Sequence, residues 1–308
     1  MTGQVYKSTG SWYQLKDAGG KVFNARIKGR FKIEDITSTN PIAVGDRVEF
    51  SQEDTEDGFV MITDILPRHN YITRQSPHNQ HQHHIVAANL DQSILFATLK
   101  DPKTSRGFID RFLVASEAYH VPAIIVFNKT DIYKKKEFEK LEGVKCDYMS
   151  AGYEVLPLSL EKGSGMKEIL ELLKNKTTML SGHSGVGKST FINKLFPEYS
   201  LKTQDVSGWS GKGLHTTTFA EMFDLPGDGK IIDTPGLREF ALMDIEREEL
   251  SHYFPEMRKL INECRFNNCL HVNEPECAVK YAVNQEKISG ERYVSYLTIL
   301  DSIGNKKW

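Results

Sequence analysis

The stretch TTMLSGHSGVGKSTFINKLF, residues 177–196, decides how the chain must fold. An apolar run at 177–181 meets a glycine-rich turn, and KSTFINKLF then resumes helical spacing. Gly182, His183, Ser184, Gly185, Val186, Gly187, Lys188 and Ser189 fit the pattern G-x-x-x-x-G-K-S, and Thr190 continues it. Glycines let backbone N–H groups turn inward around phosphate oxygens, the Lys188 ammonium reaches the outer phosphates, and the Ser189 hydroxyl suits Mg²⁺. A strand before the turn and a helix after it are the context this chemistry needs.

Working outward, IIDTPG (231–236) supplies a strand ending in a carboxylate. Asp233 is placed to serve the metal, and Gly236 to bring its N–H toward the γ-phosphate. GLHTTT (213–218) lies between the two motifs, with one of Thr216, Thr217 and Thr218 expected to complete the Mg²⁺ shell; Thr217 is the candidate taken, and the sequence leaves the choice among the three open. Upstream, FNKTD (127–131) ends the apolar run VPAIIVF. Asp131 can accept from guanine N1–H and the exocyclic amine, Asn128 can bond the far side of the base, the Lys129 stem can lie against the ring, and Thr130 completes the turn. PLSLEK (157–162) follows another strand and resembles the Ser-Ala-Lys-type turn that closes over guanine, with Ser159 as its serine and Leu160 in place of the usual alanine.

These parts stand in an unusual order, base-reading turns first and phosphate loop afterwards. In that order the chain resembles a circularly permuted GTPase, a rearrangement that leaves the sheet intact because domain termini lie close together. Strands are expected at 92–99, 122–127, 154–159, 177–181, 219–225 and 230–233. A helix over 108–120 would show Phe108, Phe112, Ala115 and Tyr119 on one face, another is expected over 165–174, and residues after about 245 read as mainly helical.

Three of four cysteines crowd into CRFNNCLHVNEPEC. Cys264, Cys269, His271 and Cys277 provide three thiolates and an imidazole, a closed tetrahedral set for one structural Zn²⁺. Cys146 reads as a buried small residue. Before the α/β region, GQVYKS, SWYQLK, VFNARIKG, DRVEF and FVMITDIL are five short strands separated by turn signals, which fits an OB-fold or an SH3-like barrel. Residues 1–32 hold seven bases (Lys7, Lys16, Lys21, Arg26, Lys28, Arg30, Lys32) against Asp17 alone, interleaved with Trp12, Tyr13, Phe23 and Phe31. Such a stripe can contact nucleic acid or simply be a solvated face. Residues 69–90, with His69, His78, His81, His83 and His84, read as a hydrated connector; a metal site there is the other reading.

The expected organisation is therefore a barrel over 1–70, a linker over 71–90, a permuted α/β GTPase domain over 91–242 and a helical zinc-binding domain over 243–308. Net charge is −2, hydrophobic content 39 % and charged content 26 %. That balance excludes wholesale coating of nucleic acid, and the absence of a roughly 20-residue apolar run argues against membrane insertion. A cytoplasmic monomer with no membrane or DNA partner is expected.

Barrel, permuted GTPase and Cys3His segment together resemble the small-ribosomal-subunit-dependent GTPases of the RsgA/YjeQ family. The resemblance implies a late-acting assembly factor that binds the small subunit and its rRNA, hydrolyses GTP with Mg²⁺ there, and leaves. It implies that barrel and zinc region meet RNA through phosphate-directed basic residues. The residue after Gly236 is Leu237, not the water-orienting glutamine of many GTPases, so slow intrinsic hydrolysis is expected. His215, next to the threonines in sequence, is the candidate to position water, with Lys188 and Gly236 as the other catalytic residues; the other reading is that His215 only packs or contacts RNA. Other readings are a nucleotide-gated RNA-binding module with little hydrolysis, an ATPase, and a zinc-dependent DNA-binding regulator. Since the zinc segment follows the switch motifs closely in the chain, it is expected to sense their state.

Overall fold

A computed structural model describes residues 1–10, 12–27, 41–51, 58–75, 83–197, 220–234 and 245–304. The chain divides into two compact units, 1–94 with 167–239, and 95–166 with 240–308.

In the first unit, strands β1 (Thr2–Ser8), β2 (Tyr13–Asp17), β3 (Val22–Ile27), β4 (Arg47–Ser51) and β5 (Val60–Ile65) form the five expected strands. They run in the order β1-β2-β3-β5-β4, and β1 pairs again with β4 to close the barrel. The β3–β5 pair is parallel and the rest antiparallel, which is OB-fold topology. Alternate residues Val5, Tyr13, Leu15, Ala25, Val48, Phe50, Val60 and Ile62 fill its core. Tyr13 is thus a core residue, and half-buried Phe23 packs on Phe50 at 5.0 Å between ring centroids.

Two bases of the N-terminal stripe are engaged by acids of the same chain. β1 pairs antiparallel with β12 (Glu221–Asp224), setting Lys7 opposite Glu221 at 3.2 Å. Lys16 ion-pairs with Asp224, whose other oxygen accepts from Tyr6 Oη at 2.5 Å. Beyond β12 the sheet continues through β13 (Lys230–Asp233) to β11 (Thr177–Ser181), with β11 and β13 parallel. Helices α3 (Met166–Leu173) and α4 (Lys188–Leu195) flank β11 in sequence. Barrel and phosphate-loop sheet are consequently one continuous hydrogen-bonded surface.

The reading of 69–90 as a hydrated connector needs correction. Its arms pair as β6 (Tyr71–Gln75) and β7 (His83–Ala88), burying Ile72, Ala87 and Ala88. This hairpin is pinned to the barrel: Ala88 N donates to Val44 O at 2.9 Å, and Arg68 holds the buried Asp46 by two bonds of 2.6 Å. Gly45 (φ +96°) makes the approach possible, since a Cβ there would lie 2.0 Å from Ala88 O. His78 and His81 fall outside the described residues, and among those described the Cys3His set is the one group fit to hold a metal.

The second unit carries the end of β8 (Gln92–Ala97), β9 (Ala123–Phe127) and β10 (Glu154–Pro157), with β9 and β10 parallel. Helix α1 (Arg106–Ala118) starts at Ser105, whose Oγ accepts from Phe108 N. Sequence periodicity gave α1 a single apolar stripe, yet Ile109, Asp110, Phe112, Leu113, Val114, Ala115 and Ser116 are all buried. Ile109, Phe112 and Leu113 enter a core with β8, β9 and helix α2 (Lys135–Ala151). Val114 and Ala115 enter a different one, with Leu250, Phe254, Met257, Val279, Tyr296 and Ile299 of the C-terminal region. That region contains α5 (Pro255–Arg258), α6 (Ala278–Asn284) and α7 (Gly290–Gly304), as the helical reading of the C-terminus expects. Sequence reading had not located α2, although Leu141, Val144, Tyr148 and Ala151 follow helical spacing and are buried. Cys146 on α2 is exposed, contrary to expectation, because it falls off that stripe.

Arg292 of α7 ties the two cores together. It is 1 % exposed, donates to both carboxylate oxygens of Glu256 at 2.8 and 3.1 Å and reaches Asp110 of α1 at 2.6 Å. Its guanidinium carbon lies 4.7 Å from the Phe254 ring centre and 5.5 Å from that of Tyr148. Burial alone would lower the Arg292 pKa, but Asp110 and Glu256 together raise it, so the guanidinium stays charged. Removing one partner of such a cluster strands the remaining charges away from water. Arg292→Ala is expected to destabilise the protein by roughly 3–5 kcal/mol in urea unfolding; a loss under about 1 kcal/mol, the level of exposed pairs, would refute a buried-cluster role.

Candidate functional site

The phosphate loop has the backbone its glycines promised. Gly182, Gly185 and Gly187 take φ values of 137°, 79° and 105°. Val186 is fully buried and anchors the loop, while Gly187 caps α4. His183 and Ser189 are half-buried, Ser184 and Thr190 exposed. Lys188 Nζ folds onto the loop, donating to the carbonyls of Gly182 and, at 3.0 Å, His183. Burial lowers its pKa and Asp233 opposes that shift. Asp233 ends β13, is 8 % exposed, and its Oδ1 is buried with no hydrogen-bond partner among the described residues. Burial raises its carboxyl pKa, while Lys188 pulls it down. An orphaned buried carboxylate oxygen facing a phosphate-loop lysine is what a hard divalent cation would satisfy, so Ser189 and Asp233 fit Mg²⁺. His215, Thr217 and Gly236 lie outside the described residues.

The base-reading turn is built in the other unit. Asn128 is 2 % exposed; its N–H donates to Ala97 O at 2.9 Å and its Oδ1 accepts from Leu160 N at 3.3 Å. Position 160 therefore acts through its backbone, which explains why leucine can stand where alanine was expected. Lys129 sits at φ +62° with Nζ 2.5 Å from Asp101 O, so its stem is held at the site's edge. Thr130 Oγ1 donates to Leu158 O at 3.0 Å. Ser159, fully buried, donates to Asp131 Oδ1 at 2.6 Å and accepts from Lys162 N at 3.1 Å. The two predicted turns are thus latched to each other, and Ser159 orients Asp131.

Sequence reasoning missed Tyr133. Its hydroxyl donates to Asn128 O at 3.0 Å and accepts from Leu99 N at 2.9 Å, joining the turn to the loop after β8. Burial pushes its pKa up to about 12, so it remains a donor. An aromatic two places after Asp131 was the available signal. The Asp101 contact is a backbone carbonyl and left none.

At the C-terminus, the ligating atoms of Cys264, Cys269, His271 and Cys277 all lie within 4.8 Å of one another. His271 Nδ1 is 3.6 Å from Cys264 Sγ and 3.3 Å from Cys277 Sγ, and those sulfurs are 3.9 Å apart. Tetrahedral zinc with ordinary bond lengths requires S···S edges of about 3.8 Å and S···N edges of about 3.5 Å. The donor set fits. Tyr293 Oη donates to His271 O at 2.6 Å, Tyr296 Oη to Leu270 O at 2.8 Å, and Glu274 accepts from the N–H groups of Leu270, Val272 and Asn273. These outer contacts shape the ligand loop from α7 and from within, and sequence spacing did not reveal them.

A phosphate loop, a strand-end aspartate and a guanine-type turn in rotated order define a circularly permuted GTPase. The comparisons make the class particular. The RsgA GTPase family model matches residues 65–243, and the RsgA N-terminal domain model residues 2–60. The protein named small ribosomal subunit biogenesis GTPase RsgA from Flavobacterium psychrophilum is 50 % identical over 302 residues, 98 % of this chain and 93 % of that one. Its namesake from Cytophaga hutchinsonii is 52 % identical over 300 residues, 97 % and 98 % of the two chains. The crystal structure of YjeQ from Thermotoga maritima superposes with TM-score 0.80 at 33 % identity, covering 99 % of each chain. YloQ, described as a circularly permuted GTPase, gives 0.76 at 29 % identity over 100 % of this chain and 96 % of its own. The chain belongs to the RsgA family, and it is a GTP hydrolase.

The metal geometry yields a direct check. Purified protein is expected to carry one zinc per chain by elemental analysis, and Cys269→Ser to lose it with a lowered thermal midpoint. Full zinc content in that variant would contradict a four-ligand site.

Proposed function

We propose that this protein is a late-acting maturation factor of the small ribosomal subunit, hydrolysing GTP while bound to the assembling particle. The observation that carries the reading is end-to-end identity near 50 % with relatives named for small ribosomal subunit biogenesis, barrel and zinc segment included. Asp131, Asn128, Lys129, Thr130 and Ser159 read guanine. Gly182 to Gly187, with Lys188 and Thr190, cradle the phosphates, and the loop's N–H groups and Lys188 stabilise charge that grows on them during transfer. Mg²⁺, held by Ser189, Thr217 and Asp233, would neutralise charge on the outer phosphates. Gly236 approaches the γ-phosphate and His215 positions water. With Leu237 in the usual glutamine's place, the chain turns over slowly alone and faster on the particle.

The OB barrel gives a basic surface for rRNA, narrower than its composition suggests. Lys7 and Lys16 are engaged with Glu221 and Asp224, whereas Lys21 lies 4.9 Å from the Phe23 ring centre and Arg26 4.2 Å from that of Phe59. Cation-on-aromatic pairs of this kind suit backbone and base contacts to unpaired RNA. No helix among the described residues is long and apolar enough to cross a membrane; cytoplasmic residence as a monomer completes the reading.

GTP turnover with purified small subunits, large subunits and neither tests it. Stimulation by small subunits alone is expected. Equal rates in all three would defeat the assignment.

A further inference from the structure

The residues between the first two zinc ligands, Arg265-Phe266-Asn267-Asn268, are four consecutive exposed positions. Phe266 is 40 % exposed. Most of the large apolar side chains of this region, Phe254, Met257 and Tyr296 among them, are fully buried, so hydrophobic burial was available and Phe266 does not use it. The tip is held from both sides. Its flanking cysteines belong to the metal set, Cys269 N donates to Phe266 O at 3.3 Å, and Arg265 N donates to Glu276 O at 3.4 Å. The Arg265 guanidinium carbon lies 5.5 Å from the Phe266 ring centre, and its NH1 is 2.5 Å from Glu276.

Charge decides which kind of contact this tip can make. From 264 to 287 the chain carries Arg265, Lys280 and Lys287 against Glu274, Glu276 and Glu286, an even balance. Arg265 is already neutralised by Glu276. A segment without basic excess gains little from polyphosphate attraction, which scales with the number of phosphates neutralised. What it presents is an aromatic face beside two carboxamides. Aromatic rings stack on unpaired bases, and asparagine amides can bond their exposed edges.

We propose that residues 265–268 form a base-stacking contact for an unpaired RNA nucleotide, with Phe266 as the platform. The inference rests on the ribosomal reading above and replaces, for the zinc region, the expectation of phosphate-directed contacts. A rigid metal-clamped loop holds the ring in place before RNA arrives, so little ordering entropy is lost on docking.

The test is equilibrium binding of Phe266→Ala, Phe266→Leu and Phe266→Trp to purified small subunits across a salt series, with zinc content as the check on folding. Loss of one stack is expected to weaken binding by about 5- to 150-fold in the Ala variant. Leu, which restores apolar bulk without a π face, should remain weak, and Trp should bind like the wild type. The slope of log affinity against log salt should stay unchanged, because no phosphate contact is removed. Wild-type affinity in Phe266→Ala, rescue by Leu, or a reduced salt slope would overturn the stacking contact alone. Failure of the unmodified protein to bind small subunits would instead defeat the ribosomal reading and this contact with it.

Discussion

Arg292 is the constraint on which half of this molecule depends. A guanidinium with 1 % exposure is tolerable only if its charge and its donors are answered, and Glu256 and Asp110 answer them from two different parts of the chain. Asp110 belongs to α1, the helix that also closes the core over β8 and β9. The C-terminal helices therefore cannot leave α1 without baring a buried ion cluster, and the loop before α1 carries Asp101, whose carbonyl holds Lys129. The zinc-bearing region and the base-reading turn share one rigid frame. The sequence suggested a connection along the chain from the switch motifs to the zinc segment; this packing instead ties the zinc region to the base-reading turn.

The division of the chain gives permutation a mechanical sense. One unit joins the OB barrel to the phosphate loop and Asp233, through the β1–β12 pairing and the Lys7 and Lys16 ion pairs. The other joins the base-reading turn to the zinc region. Each unit thus pairs one of the nucleotide motifs with its own peripheral module.

Much of this was legible in the sequence because the informative motifs are local. The phosphate loop, FNKTD, PLSLEK and the cysteine spacing each lie within a few residues and in a strand or turn context that tests them. The five barrel strands were readable from alternation and turns. What escaped was long-range or carried by backbone. The Asp110–Arg292 pair spans 182 positions, the use of Lys7 by Glu221 spans 214, and the contribution of Leu160 is an amide that any residue provides. Composition misled where polar residues turned out to be paired: the histidine-rich connector has strands at both ends, and part of the basic stripe is ion-paired to acids of the same chain.

The central claim is that a turn upstream in the chain reads the base for a phosphate loop downstream. Asp131→Asn tests it most directly, with nucleotide affinity measured for GTP and for xanthosine triphosphate. The carboxylate accepts two hydrogen bonds from guanine, whereas the amide turns an N–H toward the exocyclic amine and matches the xanthine carbonyl instead. The account predicts that GTP binding falls by roughly hundredfold or more and that xanthosine triphosphate binding rises in its place. Unaltered GTP affinity in Asp131→Asn, with no gain for xanthosine triphosphate, would contradict it.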